Sequence, residues 1–406
     1  MTETTASSHV LIAGAGMVGA ALACALGEAG FNVTVVEARA PDRQWPRGEI
    51  SNRVSALTRA SQHLLENLGA WPRIAGLGAA AYHHMHVWDR PGVGEIRFDA
   101  AAIGEPDLGH IVENRAIQLA LWERMEAIPT VEIRCPAGVR ELAQGSPGLV
   151  LDDGTRLDAD LVVAADGARS TVRDLAGISV TVRSFEQLAL VATVRVSAGH
   201  DRTAWQRFLP TGPLAFLPAD TDDRCSVVWS ATPAQARHLM ELDDHAFCVE
   251  LGEAVDHRLG AVTETGPRAT FPLRSQLADH TVEPGLALIG DAAHVIHPLA
   301  GQGVNLGFLD TAELARVLIE ARDDGIPPGD HQRLRRYERA RKGETLAVMR
   351  AMEAFNGLFS NRSAALGLVR NLGLRLTDAA TPVKSALIRR AMGVSGDLPP
   401  LARPGR

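Results

Sequence analysis

Cysteine is scarce and scattered in this chain. Cys24, Cys135, Cys225 and Cys248 stand far apart with no Cys-x-x-Cys pair, a pattern of reduced thiols that argues against a disulfide framework or a zinc site. No apolar run approaches the roughly 18 residues of a bilayer-spanning helix. The opening MTETTASSH is polar and lacks the basic-then-apolar order of a secretory leader, so the expected location is cytoplasmic. Internal repeats and low-complexity tracts are missing as well. What remains is 406 residues, 46% of them hydrophobic, enough for two or three domains with their own cores.

Acidic residues are the missing sign at one end. Residues 331–406 hold 15 Lys and Arg against 5 Asp and Glu, whereas residues 1–330 hold 26 against 43. Such asymmetry suits an anionic membrane surface or an acidic partner, or docking of the tail on the acidic body of its own chain. Nucleic acid fits less well, because the tail interleaves arginines with aliphatics and offers little aromatic surface for base stacking.

The N-terminal VLIAGAGMVGAALACALGEAGFNVTVVEAR reads as strand, glycine turn, helix and second strand. Gly14, Gly16 and Gly19 form GxGxxG where the helix opens, and Glu37 follows about twenty residues on, as a dinucleotide-binding unit requires. Gly14 permits the turn, Gly16 admits a pyrophosphate to the backbone, and Gly19 lets helix and strand pack closely. The helix N-terminus adds positive potential beneath the phosphates, and Glu37 is placed to accept from a ribose. No second GxGxxG follows, so a nicotinamide nucleotide would have to bind transiently, or electrons come from another protein.

A second glycine-rich stretch, GDAAHVIHPLAGQGVNLGF at 290–308, is costly in chain entropy unless its backbone must lie against a ligand. Between these motifs, YHHMHVWD (82–89) and EIRFD (95–99) read as a hairpin. LVLDDGTRLDADLVVAADGARS reads as a second hairpin, and ALVATVRV, AWQRFL, LAFLPA and CSVVWSAT as strands of a separate, mostly antiparallel sheet. Residues 331–393 read as helical, with Val348, Met352, Phe355 and Phe359, then Leu366, Val369, Leu372 and Leu376, at helical spacing. Arg370, Arg375, Lys384, Arg389 and Arg390 are interspersed. His83, His84 and His86, like His294 and His297, are spaced as metal ligands might be, but no carboxylate or cysteine cluster joins them and no metal is expected.

GxGxxG with Glu37, the Asp166–Gly167 pair in ADGARSTVR, and the Gly290–Asp291 pair in GDAAH, in this order, resemble the flavin-dependent aromatic hydroxylases related to p-hydroxybenzoate hydroxylase. RVSALTRAS (53–61), LGHIVEN (108–114), RFLPTGPLAFLP (207–218), HPLAGQGVNLGF (297–308), NGLFSN (356–361) and the tail LRLTDAATPVKSALIRRAMG are similar to the ubiquinone-biosynthesis hydroxylases, the UbiH/UbiF/UbiI (VisC-like) group, over nearly the whole chain. The resemblance implies an α/β fold: a discontinuous Rossmann-like FAD-binding domain (1–75, 100–182 and 275–330), an inserted substrate-binding β-sheet domain (76–99 and 183–274) and a C-terminal helical region (331–406).

It also implies FAD as cofactor, NAD(P)H as transient electron donor, O2 as co-substrate, and ring hydroxylation of a polyprenylated phenol at C5 or C6 through a flavin C4a-hydroperoxide. Asp291 would take the ribitol hydroxyls, with Gly290 admitting the chain. Pro298, Gly301, Gln302, Gly303, Val304 and Asn305 would line the flavin ring, the N–H groups of Val304 and Asn305 facing its pyrimidine oxygen. Arg53 and Asn114 would approach the flavin. Asp166, Gly167 and Arg169 would neighbour the flavin or the transient nucleotide. His294 and His297 stand at the expected flavin edge, either as proton carriers or as turn-holding groups. Peripheral membrane contact through the basic tail, on the inner membrane face, and contact with other quinone-biosynthesis proteins follow from the lipid substrate. A soluble small-aromatic-acid hydroxylase and a non-catalytic flavin-binding subunit remain the alternatives.

Overall fold

The computed structural model describes residues 8–44, 51–89, 94–296, 303–359, 392–393 and 396–405. The chain opens with β1 (His9–Ala13), α1 (Met17–Glu28) and β2 (Asn32–Val36). β1 pairs in parallel with β2 on one side and with Leu161–Ala164 on the other. Val131–Arg134 and Leu286–Leu288 extend this parallel sheet, and Val282–Glu283 closes its edge antiparallel. Strands covered on both faces must be apolar throughout, which is why VLIA, VTVV and LVVA carry almost no polar residue.

α1 is buried along Gly19–Gly27, and its alanines let it settle between the helices Asn114–Ala127 and Gly303–Asp323 on one face of the sheet. On the other face, the three-stranded sheet of Val139–Leu142, Gly148–Leu151 and Arg156–Asp158 brings Leu149 and Leu151 onto Leu11, Val162 and Ala164.

A nine-stranded sheet forms the second body, with the 17-residue strand Val180–Val196 as its spine. Its pairings are antiparallel except one, where Thr203–Leu209 runs parallel to His84–Asp89. Alternation along each strand turns Leu190, Phe216, Val227 and Trp229 to the helices Pro233–Glu241 and Asp244–Ala254. The opposite face turns Ala204, Ala215 and Leu217 toward Ala56 and Ile111 of a small antiparallel sheet (Val54–Leu57, Gly109–Glu113, Ala79–Tyr82).

β ladders do not stop at the segment boundaries drawn from sequence. Val180–Val196 and Ala269–Ala278 run across 182/183 and 274/275, Ala79–Tyr82 joins the small sheet, and His294–Val295 pairs with Gln276 and Leu277 in the large one. In the tail, one helix spans His331–Phe359. Residues 396–405 are not helical apart from a single 3-10 turn at Pro400–Ala402, because Pro399, Pro400 and Pro404 break helical bonding. Residues 360–391, with the second apolar stripe and the arginines from Arg370 to Arg390, lie outside the described residues.

Candidate active site

The three fingerprint glycines meet three different surroundings. Gly14 has φ +100°, and a methyl there would sit 2.5 Å from Ala165 O. A methyl on Gly19 would fall 2.1 Å from Gly14 O, so this glycine keeps α1 against the turn. Gly16 is extended (φ −64°, ψ 178°), and a methyl there would meet nothing within 4 Å. The helix behind it has no side-chain cap and no acidic residue in its first turn, so its N-terminal N–H groups are left for an anion. Glu37, at the end of β2, accepts from Ala15 N–H at 2.6 Å and Arg39 N–H at 3.0 Å, which pins the turn from behind.

The second turn follows the strand Leu286–Leu288. Gly290 has φ +59°, and an added methyl would lie 3.2 Å from Val18 of α1. Its N–H donates to Asp310 at 3.0 Å. Asp310, wholly buried in the Gly303–Asp323 helix, also takes His294 Nε2 at 2.6 Å and Arg341 Nε at 2.8 Å. Burial works to raise the Asp310 carboxyl, and the charges and hydrogen bonds of His294 and Arg341 outweigh it, holding the group below the usual carboxylate range. The His294 ring nitrogen is thus engaged by a buried carboxylate and not by the turn backbone. Asp291 itself is exposed, and the packing around it pushes its carboxyl up, opposed by His294 and Arg53.

The Asp166–Gly167 loop stands close by. Asp166 accepts from Ser170 Oγ and from Val172 N–H at 3.1 Å, capping the short helix Thr171–Leu175, while Arg169 is exposed. Arg173, 3% exposed, donates to Ala168 O and Ala292 O, both at 3.2 Å, and so ties this loop to the Gly290 turn. Arg53 stacks over Phe271 of the large sheet at 5.4 Å. Asn114 is held by Ser55 Oγ at 2.7 Å, and its N–H donates to Arg53 O. At the start of the Gly303–Asp323 helix, buried Asn305 donates to Ala56 O at 2.8 Å and accepts from Thr58 N–H at 3.0 Å and Ser61 Oγ at 2.7 Å. His297, Pro298, Gly301 and Gln302 lie outside the described residues.

The Gly290 turn thus lies against Val18 of α1, the helix that the first glycine turn opens, and Arg173 ties it to the Asp166–Gly167 loop. The family of FAD binding domains matches residues 7–352. The chain belongs to this family. The 3-demethoxyubiquinol 3-hydroxylase of Escherichia coli (strain K12) is 38% identical over 393 residues, covering 96% of this chain and 100% of that protein. Human ubiquinone biosynthesis monooxygenase COQ6, mitochondrial, is 35% identical over 432 residues, covering 93% and 91%. Among solved structures, p-nitrophenol 4-monooxygenase PnpA from Pseudomonas putida DLL-E4 superposes with a TM-score of 0.75 at 21% identity, over 95% of this chain and 98% of that one. The protein is an FAD-dependent monooxygenase of the p-hydroxybenzoate-hydroxylase-like group.

The site's residues fit FAD. The open backbone at Gly16 and the uncapped start of α1 suit a pyrophosphate, and the carboxylates of Glu37 and Asp291 suit sugar and ribitol hydroxyls. Four flavoprotein residues went unread in the sequence: Asp310, Arg341, Arg173 and Val18. Asp310 had a visible signal, a carboxylate directly after the apolar stretch LGFL within a helical run, where an unpaired charge would be costly. The others are ordinary in sequence and gain their roles only from distant partners.

Proposed function

We propose that this monooxygenase hydroxylates the ring of a polyprenylated phenol or benzoquinol during ubiquinone biosynthesis, at C5 or C6, with FAD resident, NAD(P)H as transient reductant and O2 as co-substrate. The observation that carries the choice of a lipid over a small aromatic acid is the large-sheet face turned toward the cofactor domain. Its alternating positions are Ala189, Val191 and Thr193; Ala204, Gln206 and Phe208; Pro213, Ala215 and Leu217; Ser226, Val228 and Ser230. None of these positions holds a cation; Arg53 stands beside them, stacked over Phe271, which pairs with Ala189. Arg207 faces the other way, bound to Asp256 at 2.9 Å, and Arg195 and Arg224 are paired with Asp223 and Asp220. Small apolar residues with a few hydroxyls and one amide suit a prenylated phenol. The 3-demethoxyubiquinol hydroxylase relative points the same way.

Bound FAD supplies the activated oxygen for ring hydroxylation once it has been reduced. The chain's part is to seat and shield it. Asp291 takes ribitol hydroxyls, Gly14, Gly16 and Gly19 with Glu37 hold the adenosine half, and the N–H groups of Gly303, Val304 and Asn305 at a helix start favour negative charge on the ring. With Asp166 engaged by Ser170 and Val172, exposed Arg169 is the group of that loop left for a transient nucleotide. No catalytic base is assigned to His294.

Deleting the encoding gene in its host tests the reading. Ubiquinone is expected to vanish, with a prenylated phenol one oxygen short accumulating, and mass spectrometry of that intermediate gives the ring position. An unchanged quinone pool in a host without a second hydroxylase sinks the lipid substrate and returns the small-acid alternative. FAD-loaded protein whose catalytically dead variant restores the pool would favour the non-catalytic subunit.

The His331–Phe359 helix supports contact with an anionic membrane surface. Leu334, Tyr337, Arg341, Thr345 and Met349 are buried, while Arg335, Arg336, Arg339, Lys342 and Arg350 line the exposed side. Arg336 and Arg339 have no acidic partner among the described residues, so this part of the tail is not neutralised by the body of the chain. No described helix is long and apolar enough to cross a membrane. Each basic residue near an anionic surface is worth about 1 kcal/mol, so Arg336→Gln with Arg339→Gln is expected to weaken partition to phosphatidylcholine–phosphatidylglycerol vesicles roughly 30-fold at low salt. Unchanged cosedimentation would remove this helix from the membrane contact.

A further inference from the structure

We propose that Asp310 is a positioning residue for FAD, which clamps the Gly290–Asp291 turn from behind and makes cofactor affinity depend on Arg341 of the C-terminal helix. The inference rests on reading that turn as part of the FAD seat. Three donors from three elements converge on one carboxylate: Gly290 N–H of the turn, His294 Nε2 of the following edge strand, and Arg341 Nε of the His331–Phe359 helix. Both side-chain partners are nearly as buried as Asp310 itself, so neither can turn to water if the carboxylate is removed. Arg341 also reaches Glu344 and, at 3.4 Å, Leu306 O, which fixes the guanidinium against the helix that carries Asp310.

One helical turn before Arg341, Tyr337 Oη donates to Leu288 O at 2.8 Å. The C-terminal helix therefore holds the segment at Leu288 directly and at Gly290 and His294 through Asp310. Asp291 lies between these fixed points, and its own carboxylate bonds to no described residue. The clamp takes its neighbours and leaves the one side chain expected to meet ribitol free. Affinity for that ligand then reflects how well the backbone on either side is held, since a loose turn must be ordered at the moment of binding.

The coupling is reciprocal by thermodynamic linkage. If Arg341 raises affinity for FAD, FAD must raise the stability of the helix segment around Arg341. A residue that merely holds the fold together carries no such obligation, and this difference makes the proposal testable.

Deflavinated enzyme is titrated with FAD for the wild type, Asp310→Asn, Arg341→Gln, their double variant, Asp291→Asn, and Arg207→Gln as a control. The control breaks the pair between buried Arg207 and the half-exposed carboxylate of Asp256 on the far face of the large sheet. Asp310→Asn and Arg341→Gln are each expected to weaken FAD about tenfold, the worth of one charge-assisted hydrogen bond, with the double variant no weaker than the worse single. Arg207→Gln is expected to lower Tm and leave FAD affinity unchanged. In hydrogen exchange, FAD is expected to protect residues 334–345 in the wild type and to lose that effect in Arg341→Gln.

Wild-type FAD affinity in folded Asp310→Asn or Arg341→Gln would overturn the proposal, as would losses that multiply in the double variant. Should Asp310→Asn fail to fold, Arg341→Gln and His294→Gln, each removing one donor to the same carboxylate, are judged by the same criterion. If Asp291→Asn alone leaves FAD affinity intact, the turn is not the seat, and that reading falls separately.

Discussion

Alanine at Gly14 is expected to destabilise the cofactor domain strongly, and alanine at Gly16 to leave its stability intact but the domain poorly loaded. At Gly14 the left-handed φ of +100° costs an L-residue about 1–2 kcal/mol, and the new methyl meets Ala165 O at 2.5 Å and Asp166 Cα at 2.9 Å. Both neighbours are backbone in a parallel sheet and its turn, so overpacking adds roughly 1–3 kcal/mol. Together these come to about 2–5 kcal/mol, a large fraction of the ~5–15 kcal/mol by which a domain is stable. At Gly16 the backbone already suits alanine and nothing lies within 4 Å, so Tm is expected to hold or rise slightly. The methyl would instead stand where a pyrophosphate has to approach, and FAD affinity is expected to fall at least about tenfold. Urea unfolding and FAD titration of the two variants separate the effects. Wild-type affinity in Gly16→Ala would move the pyrophosphate elsewhere; wild-type stability in Gly14→Ala would mean that the turn yields more easily than its contacts allow.

Asn305→Ala is the second large effect. The amide satisfies Ala56 O, Thr58 N–H and Ser61 Oγ at once, and Ala56 and Ser61 are buried. Each buried polar group left without a partner costs about 1–3 kcal/mol, so a total loss of ~2–5 kcal/mol is expected in urea unfolding. The Gly303–Asp323 helix would also lose its tether to the Val54–Leu57 strand, and FAD affinity is expected to drop with it. A stability change under ~1 kcal/mol would show that water or a shifted Ser61 replaces the amide.

Asn305 marks the border between what could be read in the sequence and what could not. Its place in the glycine-rich motif was legible, and its backbone role was inferred there; its side chain's role was not, since Ala56, Thr58 and Ser61 lie far away in the chain. Local features were readable because their causes are local. β1, α1 and β2 follow from apolar periodicity and three glycines, and the 84–89 and 95–99 hairpin from alternation across a turn. The order of strands in the large sheet was not, because Thr203–Leu209 lies beside His84–Asp89 by tertiary packing and no turn joins them. Glu37 was placed as a ribose acceptor, and its bond to Ala15 N–H, which stiffens the turn it serves, was invisible without coordinates. Nothing in the neighbouring sequence marks Arg173 or Arg341, yet one bridges two motif loops and the other sits beside a buried acid.

The short strand His294–Val295 has a mechanical consequence. Three residues after Asp291 leaves the turn, the same backbone is already laced into the edge of the large sheet, opposite Gln276 and Leu277. The turn and the sheet edge are therefore one continuous piece of chain, and a displacement of the edge at Gln276 has only the span from Asp291 to His294 in which to dissipate before it reaches Gly290.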